Sequence, residues 1–275
     1  MNKLSPIGVF DSGYGGLTVL SEIRKALPQY DYIYFGDNAR APYGNRSFDV
    51  VYEFTLEAVR FLFDNGCPLV ILACNTASAK ALRSIQQNDL PQIDAFKRVL
   101  GVIRPSTEEI EALTSSNHVG ILGTNGTIQS ESYVIELKKF APDIQVVQHA
   151  CPIWVPLIEN NYHESIPGRM FVKEDVERLL AKDADIDTII LACTHYPILK
   201  DYIQELVGPK IKVVAQGPIV ARKLEFYLVA HPDMENVISH GGTCAYFTTE
   251  NKDVFNQKAS QFLGIDINSE HVILT

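Results

Sequence analysis

Leu69-Val-Ile-Leu-Ala-Cys-Asn-Thr76 is an apolar run that ends on a cysteine followed by two polar residues. It returns 119 positions later as Thr188-Ile-Ile-Leu-Ala-Cys-Thr-His195. Short β-branched runs of this kind read as strands of a parallel sheet, covered on both faces. Each strand then delivers its thiol, Cys74 or Cys193, into a turn. A second echo accompanies the first: Ile7-Gly-Val-Phe-Asp-Ser12 resembles Val119-Gly-Ile-Leu-Gly-Thr124, at an offset of 112. Two pairs of matching strand ends, in the same order and at nearly the same spacing, describe a duplicated α/β unit with pseudo-twofold symmetry.

Outward from these runs, strands are expected at 7–10, 32–35, 69–73, 99–103, 119–122, 144–148, 188–192, 212–215 and 271–274. Helices are expected at 16–26, 49–64, 76–88, 106–114, 129–139, 174–182, 197–206, 217–230 and 252–262. Such alternation signals βαβ units around doubly wound parallel sheets. The second half is expected to begin near residue 97, and Glu159 to Gly168 reads as a surface loop. Ligands of such folds sit beyond the carboxyl ends of the strands, where both cysteines fall.

The chain has 275 residues, 46% hydrophobic and 21% charged, the composition of a globular protein with a substantial core. A net charge of −9 argues against an extended nucleic-acid surface, but leaves room for a local pocket that takes a small anion. No signal-type stretch or membrane-length apolar run is apparent. Five widely spread cysteines do not make a disulfide framework, so a reducing, cytoplasmic setting is expected. Cys67 and Cys244 lack polar companions and read as packing.

A buried cysteine is ordinarily an inert small hydrophobe. At a strand end beside a helix N-terminus, however, free N–H groups and the helix dipole favour thiolate and are expected to lower its pKa. Asn75, Thr76 and Thr194 supply short polar groups suited to a carboxylate, and His195 stands two residues from Cys193. Asp11-Ser12-Gly-Tyr-Gly-Gly16 forms a glycine-rich turn after the first strand, able to present N–H groups and the Ser12 hydroxyl to an anion. It is equally compatible with a purely structural turn. Tyr43 and Gly44, in Ala41-Pro-Tyr-Gly-Asn45, could cap a ligand or simply pack, and Gly123-Thr124 is the second half's counterpart of the Asp11 turn. Glu159 reads as a surface acid within reach of the cleft. A metal site built from Cys74, Cys193 and His195 is a rival reading, although Cys-x-His is not a usual zinc spacing and no C-x-x-C is present. A thiol nucleophile with His195 as base would leave one cysteine without a role. No lysine is placed for a pyridoxal Schiff base.

Taken together, Asp11-Ser-Gly, Pro42-Tyr-Gly44, Ala73-Cys-Asn-Thr76, Gly123-Thr124 and Cys193-Thr-His-Tyr-Pro197 resemble the signatures of the glutamate racemase family. The resemblance implies an isomerase of the aspartate/glutamate racemase superfamily that needs no cofactor or metal and supplies D-glutamate for peptidoglycan. It implies two α/β domains, 1–96 plus 210–275 and 97–209, with the active site in the cleft between them. Cys74 and Cys193 would be the proton donors and acceptors, assisted by Asp11 and His195. Asp11, Ser12, Tyr43, Gly44, Asn75, Thr76, Thr124, Thr194 and His195 would contact the substrate, L- or D-glutamate. No nucleic-acid or membrane partner is expected; a homodimer is open. Aspartate racemisation and a non-catalytic amino-acid-binding protein are the competing functions. After the strand at 212–215, where many family members carry an acidic and a small residue, this chain has Gln216-Gly217.

Overall fold

A computed structural model describes residues 5–274. Among these described residues, ten strands occur in chain order: β1 (Ile7–Asp11), β2 (Tyr32–Gly36), β3 (Leu69–Leu72), β4 (Arg98–Gly101), β5 (His118–Gly123), β6 (Gln145–Ala150), β7 (Thr188–Ala192), β8 (Lys212–Ala215), β9 (Cys244–Thr248) and β10 (Ser269–His271). They form two sheets, ordered β10-β9-β2-β1-β3-β4 and β6-β5-β7-β8, and every pairing is parallel. The core order β2-β1-β3-β4 is repeated as β6-β5-β7-β8. The sequence echo is therefore a topological one: β1 corresponds to β5 and β3 to β7.

Both faces of each sheet are covered, which is why the central strands are apolar throughout. On the first sheet, Ile7, Val9, Leu69 and Ile71 pack under helices 16–26, 217–230 and 252–263, while Phe10, Val70 and Leu72 face helix 48–64. On the second, Leu122, Ile189 and Leu191 face helix 166–180, whereas Val119, Ile121, Ile190 and Ala192 face helices 103–113 and 132–140. Each such aliphatic side chain contributes about 1.5–3 kcal/mol on burial.

Several expectations need correction. Sheet membership does not divide at 96/97 and 209/210: Arg98–Gly101 pairs with β3 in the first sheet, and Lys212–Ala215 pairs with β7 in the second. Residues 1–4 and 275, assigned to the first domain, lie outside the described residues. β9 has no counterpart among the expected strands, and the terminal strand is Ser269–His271 rather than 271–274. Helix 76–88 is broken after Lys80, with a π-helical turn over Ile85–Asp89. The loop at 159–168 is shorter than expected, because helix Trp154–Glu159 precedes it and Ser165 caps a helix running Ile166–Leu180. Among the described residues, no helix is long and apolar enough to cross a membrane.

Candidate active site

The carboxyl ends of β1, β3, β5 and β7 converge on one cavity of about 60 Å³. Ser12 and Gly13 follow β1, Cys74 to Thr76 follow β3, Thr124 follows β5, and Cys193 to His195 follow β7; all line the cavity. Tyr43 and Gly44 line it as well. Asp11 does not: it is wholly buried behind the wall.

Cys74 caps the helix Asn75–Lys80, its Sγ accepting from the Ala77 N–H at 3.4 Å. The Ser12 hydroxyl lies 3.5 Å from the same sulfur. These contacts favour thiolate, but burial outweighs them and, with the nearby Asp11 carboxylate, pushes the thiol up to about 12. The expected lowering by the helix N-terminus is thus overturned at Cys74: two weak donors do not replace the lost water.

Cys193 has different company. Its Sγ lies 4.0 Å from His195 Nδ1, and His195 Nε2 lies 2.9 Å from Glu159 Oε1. Burial alone would lower the imidazole, yet Cys193 and then Glu159 overcome it and raise His195 to about 10. These two neighbours favour the protonated imidazole, and His195 is the one residue among those lining the cavity whose side chain can carry positive charge.

Asp11 braces the turns. Its Oδ2 accepts from the Gly13 N–H at 2.9 Å, and the Thr194 hydroxyl donates to its Oδ1 at 3.3 Å. Burial raises its pKa, against lowering by His195 and the backbone donors. The turn after β1 approaches the second half so closely that a Cβ on Gly15 would stand 2.3 Å from Thr194 Oγ1 and 2.4 Å from His195 Nδ1. Further bonds cross the cleft. Thr76 and Thr124 hydroxyls meet at 3.0 Å, the Thr18 hydroxyl donates to the Thr194 carbonyl at 2.9 Å, and the Gly126 N–H donates to the Gly44 carbonyl at 2.8 Å. Tyr43, buried, donates its hydroxyl to Asp37.

Pro152, Val155 and Pro156 also line the cavity. In the short helix Trp154–Glu159, Trp154 and Ile158 are buried, and the other face looks into the cleft. Tyr133 and Gln216 lie behind Asn75 and bond to it, a relation between distant segments that no local pattern signals. Among the described residues, ligand atoms converge to within 4.8 Å in His149–Cys151–Asp175 and His118–Asp183–Asp185, neither of which includes Cys74, Cys193 or His195.

Residues 7–224 match the Asp/Glu/Hydantoin racemase family. A glutamate racemase of Geobacter metallireducens is 40% identical over 94% of this chain and 92% of its own length. The crystal structure of a glutamate racemase isoform from Bacillus anthracis superimposes with a TM-score of 0.89 at 35% identity, covering 99% of this chain and 98% of that one. A glutamate racemase of Francisella tularensis, solved in complex with D-glutamate, gives 0.84 at 30% identity, over 100% and 99% of the two chains. Two like sheets, paired thiols at equivalent strand ends and these full-length similarities agree: the chain belongs to the Asp/Glu/hydantoin racemase family.

Proposed function

We propose that this enzyme interconverts L- and D-glutamate by two-thiol proton transfer at Cα, without a cofactor, and so supplies D-glutamate for peptidoglycan synthesis. The observation that carries the reading is the placement of Cys74 and Cys193 on one cavity, at the ends of the equivalent strands β3 and β7. A thiolate takes the α-proton: the C–H bond breaks, an S–H bond forms, and the electron pair moves into the α-carboxylate. The opposite thiol then protonates the other face of Cα, becoming the thiolate. One thiol and one thiolate are needed at the start. The two corners take these roles in turn, Cys74 beside the Ser12 hydroxyl and Cys193 beside the His195 imidazole.

With no pyridine ring as electron sink, the developing charge is stabilised by hydrogen bonds in a water-poor cleft. Thr76, Thr124, Thr194 and Asn75 stand around the cavity for that purpose, and Ser12 adds a hydroxyl beside Cys74. His195 and Asp11 assist from the two sides, and Glu159 holds the imidazole.

The direct test follows optical rotation of L-glutamate, and separately of L-aspartate, in D₂O with chelator and no pyridoxal phosphate. Rotation of glutamate is expected to decay to zero, with deuterium appearing at Cα. Stable rotation without exchange would overturn the reading. Decay only on adding pyridoxal phosphate or a metal would overturn cofactor independence, and preferential decay of aspartate would overturn the substrate.

A further inference from the structure

Directly behind Asn75, three side chains close a ring of hydrogen bonds between the halves. Asn75 Nδ2 donates to Gln216 Oε1 at 2.7 Å. Gln216 Nε2 donates to the Tyr133 hydroxyl oxygen at 2.6 Å, and that hydroxyl donates to Asn75 Oδ1 at 2.7 Å. A second branch runs from Gln216 Nε2 to Ser106 Oγ at 2.7 Å, and Ser106 donates onward to the Val102 carbonyl at 2.8 Å. Gln216 is 3% exposed and Tyr133 is wholly buried, so neither can exchange these partners for water.

The Ser106 branch fixes the polarity of the ring: Ser106 spends its proton on the Val102 carbonyl, so its oxygen must accept, and the group facing it must be Gln216 Nε2. A tyrosine hydroxyl has one proton, and here the Asn75 carbonyl oxygen takes it, so Tyr133 must accept from Gln216. Gln216 must then turn its carbonyl toward Asn75, and Asn75 must turn its amide nitrogen toward Gln216. A flip at any member would set donor against donor or acceptor against acceptor in a dry site. The second Nδ2 hydrogen of Asn75 is left over, on a residue that lines the cavity.

We infer that Gln216 is a positioning residue: through Asn75 it determines which amide hydrogen meets the substrate, and with Tyr133 it holds the two halves in register. Asn75 opens a helix of the first half, whereas Tyr133 and Ser106 sit on helices packed against the second sheet. Gln216 begins the helix Gly217–Ala230 that leads back to the first half, where Val220, Ala221 and Leu224 pack. A residue at this junction, bonded to both sides, has the place of a latch. The inference rests on the proposed racemase reading.

Kinetics and calorimetric glutamate binding of wild type, Gln216→Met, Tyr133→Phe and Asn75→Ala test it. Methionine matches glutamine in length and brings no hydrogen bond, so the site stays filled. Gln216→Met is expected to raise KM, and the dissociation constant for D-glutamate, about tenfold, equivalent to about 1.4 kcal/mol, with kcat within about threefold. Tyr133→Phe, which opens the ring while leaving Gln216 in place, is expected to raise both about threefold. In the Asn75→Ala background, Gln216→Met should add less than about twofold, because the residue it acts through is gone. A full tenfold effect in that background, or unchanged KM in Gln216→Met, would overturn the inference. If Gln216→Met fails to fold, Tyr133→Phe with its own Asn75→Ala cycle decides by the same criterion. Wild-type protein that binds glutamate without racemising it would sink the functional reading instead, leaving the latch to be judged on binding.

Discussion

The two thiol corners of the cleft are delivered by equivalent strands, yet they are equipped differently. Cys74 leads into a true helix and receives one of its N–H groups; its neighbours are the Ser12 hydroxyl and the buried Asp11 carboxylate. Cys193 leads into a 3₁₀ turn at Tyr196–Leu199 and faces an imidazole backed by a carboxylate. The acids occupy unlike places too. Asp11 ends β1, but the corresponding end of β5 is Gly123, and the second corner draws its carboxylate from Glu159 instead. The repeated topology supplies the symmetry of position; unlike neighbours supply the asymmetry of surroundings.

Removing either sulfur should have the largest effect. Cys74→Ala and Cys193→Ala are each expected to lower racemisation by more than about a thousandfold, in both directions, because each direction uses one thiol as base and the other as acid. Polarimetry with each pure enantiomer measures this. Either variant within tenfold of wild type would break the paired scheme, however well the geometry pairs the residues.

Next in size is the imidazole. His195→Gln retains an amide toward Glu159 and removes the charge beside Cys193; kcat is expected to fall about 10²-fold. The enantiomers are equal in free energy, so kcat/KM must fall equally both ways. The asymmetry between corners should appear instead in the Cα-deuterium isotope effect, larger when Cys193 is the base. Equal isotope effects in the two directions would erase the distinction drawn here. A pH signature accompanies it. Burial would lower His195, but Cys193 and Glu159 raise it above its ordinary 6.5 to about 10. Its stabilisation is therefore fully present below pH 6.5 and lost as pH rises through about 10. Thermal melts should show that loss in wild type and lack this component in His195→Gln.

How far the sequence revealed all this depends on how local each signal is. Val70-Ile-Leu and Ile189-Ile-Leu are buried strands by composition alone, and the Cys-polar-polar turns after them need no partner to be recognised. β9 escaped notice because Cys244-Ala-Tyr-Phe-Thr248 is short and only partly buried; its strand character comes from pairing with β2, more than two hundred residues earlier. The sheet membership of the strands beside the expected boundaries was hidden for a similar reason. Arg98–Gly101 and Lys212–Ala215 are four-residue strands whose sheet is chosen by neighbours, not by their own residues. At the site, the thiols were legible, but the direction of the Cys74 shift was not, because burial is a property of the closed cleft. The Asn75–Tyr133–Gln216 ring was invisible for want of any local motif; Gln216 stood out only as a departure from a pattern.

The smallest expected effect concerns Asp11 and runs in two directions at once. Burial is the main influence on this carboxylate and raises its pKa, opposed by His195 and by the donors of Gly13, Gly16 and Thr194. A carboxyl whose folded pKa exceeds its unfolded value contributes stability at low pH, and that contribution is lost as pH rises through the folded pKa. At pH 7 this carboxyl therefore costs the fold something that an amide would not. Asp11→Asn can keep the Gly13 bond through its oxygen and turn its amide toward Thr194 Oγ1, so the turn survives. The melting temperature is expected to rise by about 2–4 °C at pH 7, the shift that about 1 kcal/mol produces in a chain of roughly this size, while racemisation falls. A lower melting temperature would mean that the hydrogen bonds of the carboxylate outweigh its burial. Asp11 would then be a structural strut, as the glycine-rich turn alone allows, and the first corner would owe its chemistry to Ser12 and the helix end.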